Sequence, residues 1–88
     1  MKATFIKTVR SMVGDGRLFQ LSPPMRSEGR DPIEFVVVSA VDIAYSGPET
    51  YIFEADEYGT IVNFAELRGS FRGALDHQRA LAIAGYEE

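Results

Sequence analysis

The sequence predicts an α+β domain: an antiparallel meander of about five strands with one short C-terminal helix packed on it. Three observations carry this. Residues 2–64 are rich in Val, Ile, Thr, Phe and Tyr, which suit a pleated sheet. Glycine- and proline-marked turns divide that stretch into short runs. Only the end, "LDHQRALAIAGYEE", has a helix-like apolar stripe. With 88 residues, 45% of them hydrophobic and 25% charged, the chain suits a single domain, 1–88, around one small core.

Residues 2–11 alternate. Ala3, Phe5 and Val9 fall on one side, Thr4, Ile6 and Thr8 on the other, and Lys7 interrupts the first set. "GDG" at 14–16 places glycine at two turn positions, so a hairpin is expected before the apolar run 18–21. "SPPMRSEGRDP", 22–32, holds three prolines and reads as an exposed loop. Residues 33–45 form the strongest strand. Phe35, Val37, Val41 and Ile43 lie on one face with Ser39, and Val36, Val38 and Ala40 on the other. Apolar residues on both faces mark a central strand.

"SGPE" reads as a turn and 50–55 as the returning strand. Tyr51, Phe53 and Ala55 face one way, and Thr50, Ile52, Glu54 and Asp56 the other. "DEYG" makes the next turn, with Gly59 in the left-handed region, and 60–64 is a fifth short strand. A helix is expected over 76–84. Asp76 is its N-cap, and Leu75, Ala80, Leu81, Ile83 and Ala84 are its apolar stripe. Gly85 suits the position after the cap, with Tyr86 packing back on Leu81.

The chain has no cysteine, which removes disulfides, thiolate metal sites and cysteine nucleophiles, and a cytoplasmic setting is expected. "MKATFIKTVRSM" lacks the apolar core of a signal peptide, and no membrane segment is expected.

Catalysis finds no support in the residues. His77 is the lone histidine, and a general base needs a placed partner, whereas Asp76 beside it on a helix points elsewhere. "EADE" does not match a calcium loop, and neither "GDG" nor "RGSFRG" matches a phosphate-binding signature. No catalytic residue, metal site or cofactor is assigned, and the protein is not expected to be an enzyme. Direct nucleic-acid binding is disfavoured by the net charge of −4.

Charge layout is the unusual feature. Residues 31–67 contain no Lys or Arg but eight acids: Asp31, Glu34, Asp42, Glu49, Glu54, Asp56, Glu57 and Glu66. Residues 1–30 carry six basic groups against two acids. In a strand, Glu54 and Asp56 project to one side about 6.6 Å apart. Glu49, Glu54, Asp56, Glu57 and Glu66 are therefore the expected partner-binding residues, forming an acidic patch with Tyr51 and Tyr58 nearby. The competing reading is a solvated edge that discourages aggregation.

"SGPETYIFEADEYGTIVNFAELRGSFRGALDHQRALAIAGYE" resembles small accessory proteins encoded by phages and prophages, through "SGPETY", "ELRGSFRG" and "DHQRALAIAGY". The resemblance implies a compact protein acting inside a bacterial host cell by binding a host protein. Anti-CRISPR inhibitors are the best-known class of this kind. The expectation is a protein-binding inhibitor of a host nucleic-acid-handling complex, monomeric or homodimeric. Its rival is a self-associating scaffold module.

Overall fold

The computed structural model describes residues 1–10, 14–44 and 47–88, with the side chain of Ile43 excepted. Ser11, Tyr45 and Ser46, which the sequence assigns to strand ends and a turn, lie outside the described residues. The elements are β1 (Lys2–Arg10), β2 (Asp15–Met25), β3 (Ile33–Ile43), β4 (Gly47–Ala55), β5 (Ile61–Asn63), β6 (Phe71–Arg72) and α1 (His77–Ile83). The first five strands run in meander order, each antiparallel to the next, and β6 also pairs with β4. The expected α+β meander with one C-terminal helix is the observed fold.

β3 is the middle strand. Val36 and Val38 point into the core under the helix, with Phe19, Leu21, Ile52, Leu67, Ala80, Leu81 and Tyr86. Val37 points the opposite way, into a smaller cluster with Leu18 and Ala55, flanked by Val9, Phe35 and Ile61. The alternation along β3 and β4 thus follows the expected faces. Burial on both sides explains why β3 reads as an almost unbroken apolar run.

β1 departs from its expected faces. Phe5 pairs with Phe19 but Lys7 pairs with Leu18, so Ile6 is an extra residue in a bulge. Beyond it the faces switch: Val9 joins the smaller cluster, away from Ala3. Lys7 in an apolar position was the trace of that switch.

Gly14 takes a positive φ of 76°, whereas Gly16 is a strand residue paired with Val9 and Ser39 and not a turn residue. The expected loop at 22–32 is shorter, because β2 continues to Met25, which pairs with Ile33, both buried. Pro23 and Pro24 are tolerated there for lack of a ladder to break. β1 begins at Lys2, opposite Ser22, and so has no residue opposite Pro23 or Pro24, and the β2–β3 ladder is interrupted between Gln20 and Met25. At the next hairpin, Gly47 (φ 85°) already pairs with Ile43, so β4 starts earlier than residue 50.

The helix keeps its expected bounds within a residue. The Asp76 carboxylate accepts from Arg79 N–H at 3.0 Å. At the other end Tyr86 N–H donates to Leu81 O and Gly85 N–H to Ala82 O, the Schellman pattern, with Gly85 at φ 94°. The buried stripe differs: His77, Ala80, Leu81 and Ala84 face the sheet, while Leu75 and Ile83 are exposed. No helix among the described residues is long and apolar enough to cross a membrane.

Candidate functional site

The expected acidic residues all belong to β4 and the chain that follows it. β4 pairs with β5 at Glu54↔Asn63 and Ala55↔Ile61, and with β6 at Glu49↔Arg72 and Thr50↔Phe71. Between them, Leu67 N–H donates to Ile52 O at 2.9 Å and Ile52 N–H to Ser70 Oγ at 2.9 Å. One segment thus lies along the outer side of β4 and carries Glu57 and Glu66 with it.

Glu49 is 4% exposed. Its carboxylate accepts from Tyr51 Oη and, at 3.1 Å, from Arg72 Nε. Arg72 also reaches Glu66 Oε1 at 3.4 Å, and its guanidinium carbon lies 6.0 Å from the Tyr51 ring centroid. Glu54 is paired with Arg30 at 3.4 Å. Asp56 Oδ1 accepts from the N–H groups of Tyr58 and Thr60, which builds the expected turn, with Gly59 at φ 92°. Glu57 is exposed with no ion pair among the described residues.

The five acids therefore play different parts. Glu49 is an interior anchor, Glu54 is neutralised, and Asp56 shapes a turn. Glu57 and Glu66 face solvent. The two neutralising cations, Arg30 and Arg72, come from just outside the cation-free run 31–67. Among the described residues, Arg30 is the one N-terminal cation paired with these acids; Arg17 pairs with Asp15 at 3.7 Å, and Lys2, Lys7, Arg10 and Arg26 form no ion pair.

Aromatic rings extend the same surface. Tyr51 stacks on Phe53 at 5.6 Å, and Phe53 meets Phe64 at 5.4 Å. Phe64 is 59% exposed and Tyr58 72% exposed, with Val62 also open to solvent. The expected fifth strand, 60–64, included Phe64, whereas β5 spans only Ile61–Asn63 and leaves the ring just beyond the strand.

The polar side chains near the start of the helix are engaged in holding the fold. Asp76 caps the helix, Ser70 Oγ accepts from Ile52, and His77 Nε2 lies 2.9 Å from Asp15 O. Among the described residues no three His, Cys, Asp or Glu are grouped to hold a metal ion. A cavity of about 290 Å³ lies beside the helix, lined by Gln78, Leu81, Ala82, Tyr86, Glu87 and Glu88. Its lining includes no residue of β4 or of the segment 56–66. No family model, curated protein or solved structure matches this chain.

Proposed function

We propose that the protein is a non-catalytic binding module that docks on a basic surface of a partner protein through the segment 56–66. The observation that carries this reading is the composition of that segment. Exposed Tyr58, Val62 and Phe64 are flanked by the acids Asp56 and Glu57 on one side and Glu66 on the other. Aromatic anchors within a charged rim are the usual makings of a protein interface, and the charge steers encounter with a cationic partner. A nucleic-acid-binding groove is the most cationic surface a host complex offers, so an inhibitor of such a complex, of the phage-encoded kind, is the partner class proposed.

The test is affinity capture from bacterial lysate with mass spectrometry, comparing the native chain with Glu57→Lys/Glu66→Lys and with Phe64→Ala. Asp56 and Glu49 are left alone because they hold the fold. A specific partner retained by the native chain at physiological salt and lost by both variants supports the reading. Equal capture by the charge-reversed chain overturns it. A self-associating scaffold would instead show a mass that rises with concentration in light scattering and survives high salt.

A further inference from the structure

We propose that the outer edge of β1, from Thr4 to Arg10, is a β-addition site for an acidic extended peptide running parallel to β1. The backbone edge is distinct from the segment 56–66, although the Val9 and Lys7 side chains lie against Gly59 of that segment, and the test reads the β1 amides and not capture of a partner.

The first argument is an account of the sheet's backbone. β2 and β3 are paired on both sides. β4 is covered by β5, by Leu67 and Ser70, and by β6. β1 is covered only at its start, where Ala3 N–H donates to Glu87 O at 2.7 Å and Glu87 N–H to Met1 O at 3.0 Å. Beyond Ala3, no described residue pairs with its outer side. Unpaired N–H and C=O groups along a strand edge are a template for another strand. The open stretch is about 23 Å long at the usual strand rise.

The second argument is charge. Lys2, Lys7 and Arg10 are exposed and form no ion pair among the described residues. Phe5 and Ile6 between them are also open to solvent. An antiparallel second copy of β1 would bring these cations against their own kind, which is unfavourable. A chain bearing carboxylates at alternate positions projects them to one face, where they meet Lys2 and Lys7, which share the face of Val9 across the bulge, while Arg10 lies on the other face.

The third argument sets the direction. The chain's own acidic end already lies on this edge, with Glu87 bridged to Lys2 in parallel. An incoming strand that follows the same track continues the ladder over Thr4 to Arg10. The bulge at Ile6 kinks the track without closing it.

The experiment is an amide-resolved NMR titration of the full chain. The probe is the capped peptide Glu-Val-Glu-Val-Glu-Thr-Glu, with its all-lysine counterpart and a version N-methylated at alternate residues. The expected result is shift changes confined to residues 1–10, their β2 partners and the adjoining Gly59 and Glu87, absent with both control peptides. Lys7→Glu/Arg10→Glu, whose folding is checked by its own spectrum, is expected to weaken binding about tenfold or more. The proposal is overturned by no shifts at millimolar peptide, by shifts elsewhere, or by equal binding of the N-methylated peptide. It is likewise overturned if β1 amides shift with protein concentration alone, which would make a second copy the occupant.

Discussion

Arg72 Nε lies 3.1 Å from Glu49 Oε2, and the two residues are also cross-strand partners. The Glu49 side chain is 5% exposed while that of Arg72 is 66% exposed. A buried carboxylate thus draws its counter-charge from a cation still largely in water. Removing the arginine leaves Glu49 with Tyr51 alone.

Arg72→Ala is therefore expected to destabilise the fold by about 1–2 kcal/mol, below a fully buried pair because the guanidinium is solvated. Glu49→Gln in the same background should recover part of the loss, since the amide needs no counter-ion. Urea denaturation of the single and double variants measures both. Additive losses would show that the pair is not coupled.

Gly69 and Gly73 have similar φ values, 109° and 112°, but different surroundings. A β-carbon on Gly69 would lie 2.4 Å from Ala80 O and 2.6 Å from Ile52 Cδ1, whereas none of the surroundings lies within 4 Å at Gly73. Gly73→Ala should cost about 1–2 kcal/mol in backbone strain. Gly69→Ala adds a clash between the 67–70 turn, β4 and the helix, for a loss of about 4 kcal/mol or more. Thermal melts of the two variants give the comparison, and equal losses would refute the packing argument.

Tyr86 is buried, and its hydroxyl donates to Pro23 O at 2.6 Å. Burial pushes its ionisation above the usual phenolic range, and Arg68 offsets this in part. A raised folded-state pKa favours the protonated form. Its contribution is complete below the unfolded value of about 10 and is lost as pH rises through the folded one. Tyr86→Phe should cost about 1–2 kcal/mol at neutral pH through the missing hydrogen bond. The variant should also lose less stability than the native chain between about pH 8 and about pH 11. Denaturation at the two pH values decides it.

Thr50 is fully buried, and its hydroxyl donates to Ala74 O at 2.8 Å while accepting from Asp76 N–H at 3.0 Å. It fixes where the helix begins against β4. Thr50→Val keeps the shape but strands both backbone groups, with an expected cost of about 2–3 kcal/mol. Faster hydrogen exchange at the Asp76 amide, measured beside the melt, separates loss of this anchor from general softening.

Much of this arrangement is readable in the residues. The meander follows from β-branched runs between glycine turns, and the helix stop from Gly85 and Tyr86. What escapes sequence reading has physical causes. A single inserted residue, Ile6, leaves composition unchanged yet reverses the faces of half a strand. Two residues of β6 are too few to show a period. The helix buries His77, which a hydropathy stripe passes over in favour of Leu75 and Ile83. For the acids, sequence locates the cation-free run, but only the fold brings Arg30 and Arg72 to Glu54 and Glu49. Which carboxylates stay open to a partner is a property of the folded chain.

The sealing of β4 by residues 61–72, and of the start of β1 by Glu87, has a consequence for synthesis. The four long strands leave the ribosome before the pieces that close their margins. Until then both flanks of a nascent β1–β4 sheet offer bare backbone, and the apolar side meant for the helix is uncovered. That interval is when this protein is most exposed to misassembly with its neighbours. A ribosome-bound chain cut after residue 60 and held clear of the exit tunnel by a flexible linker should therefore engage chaperones more strongly than residues 1–88 behind the same linker.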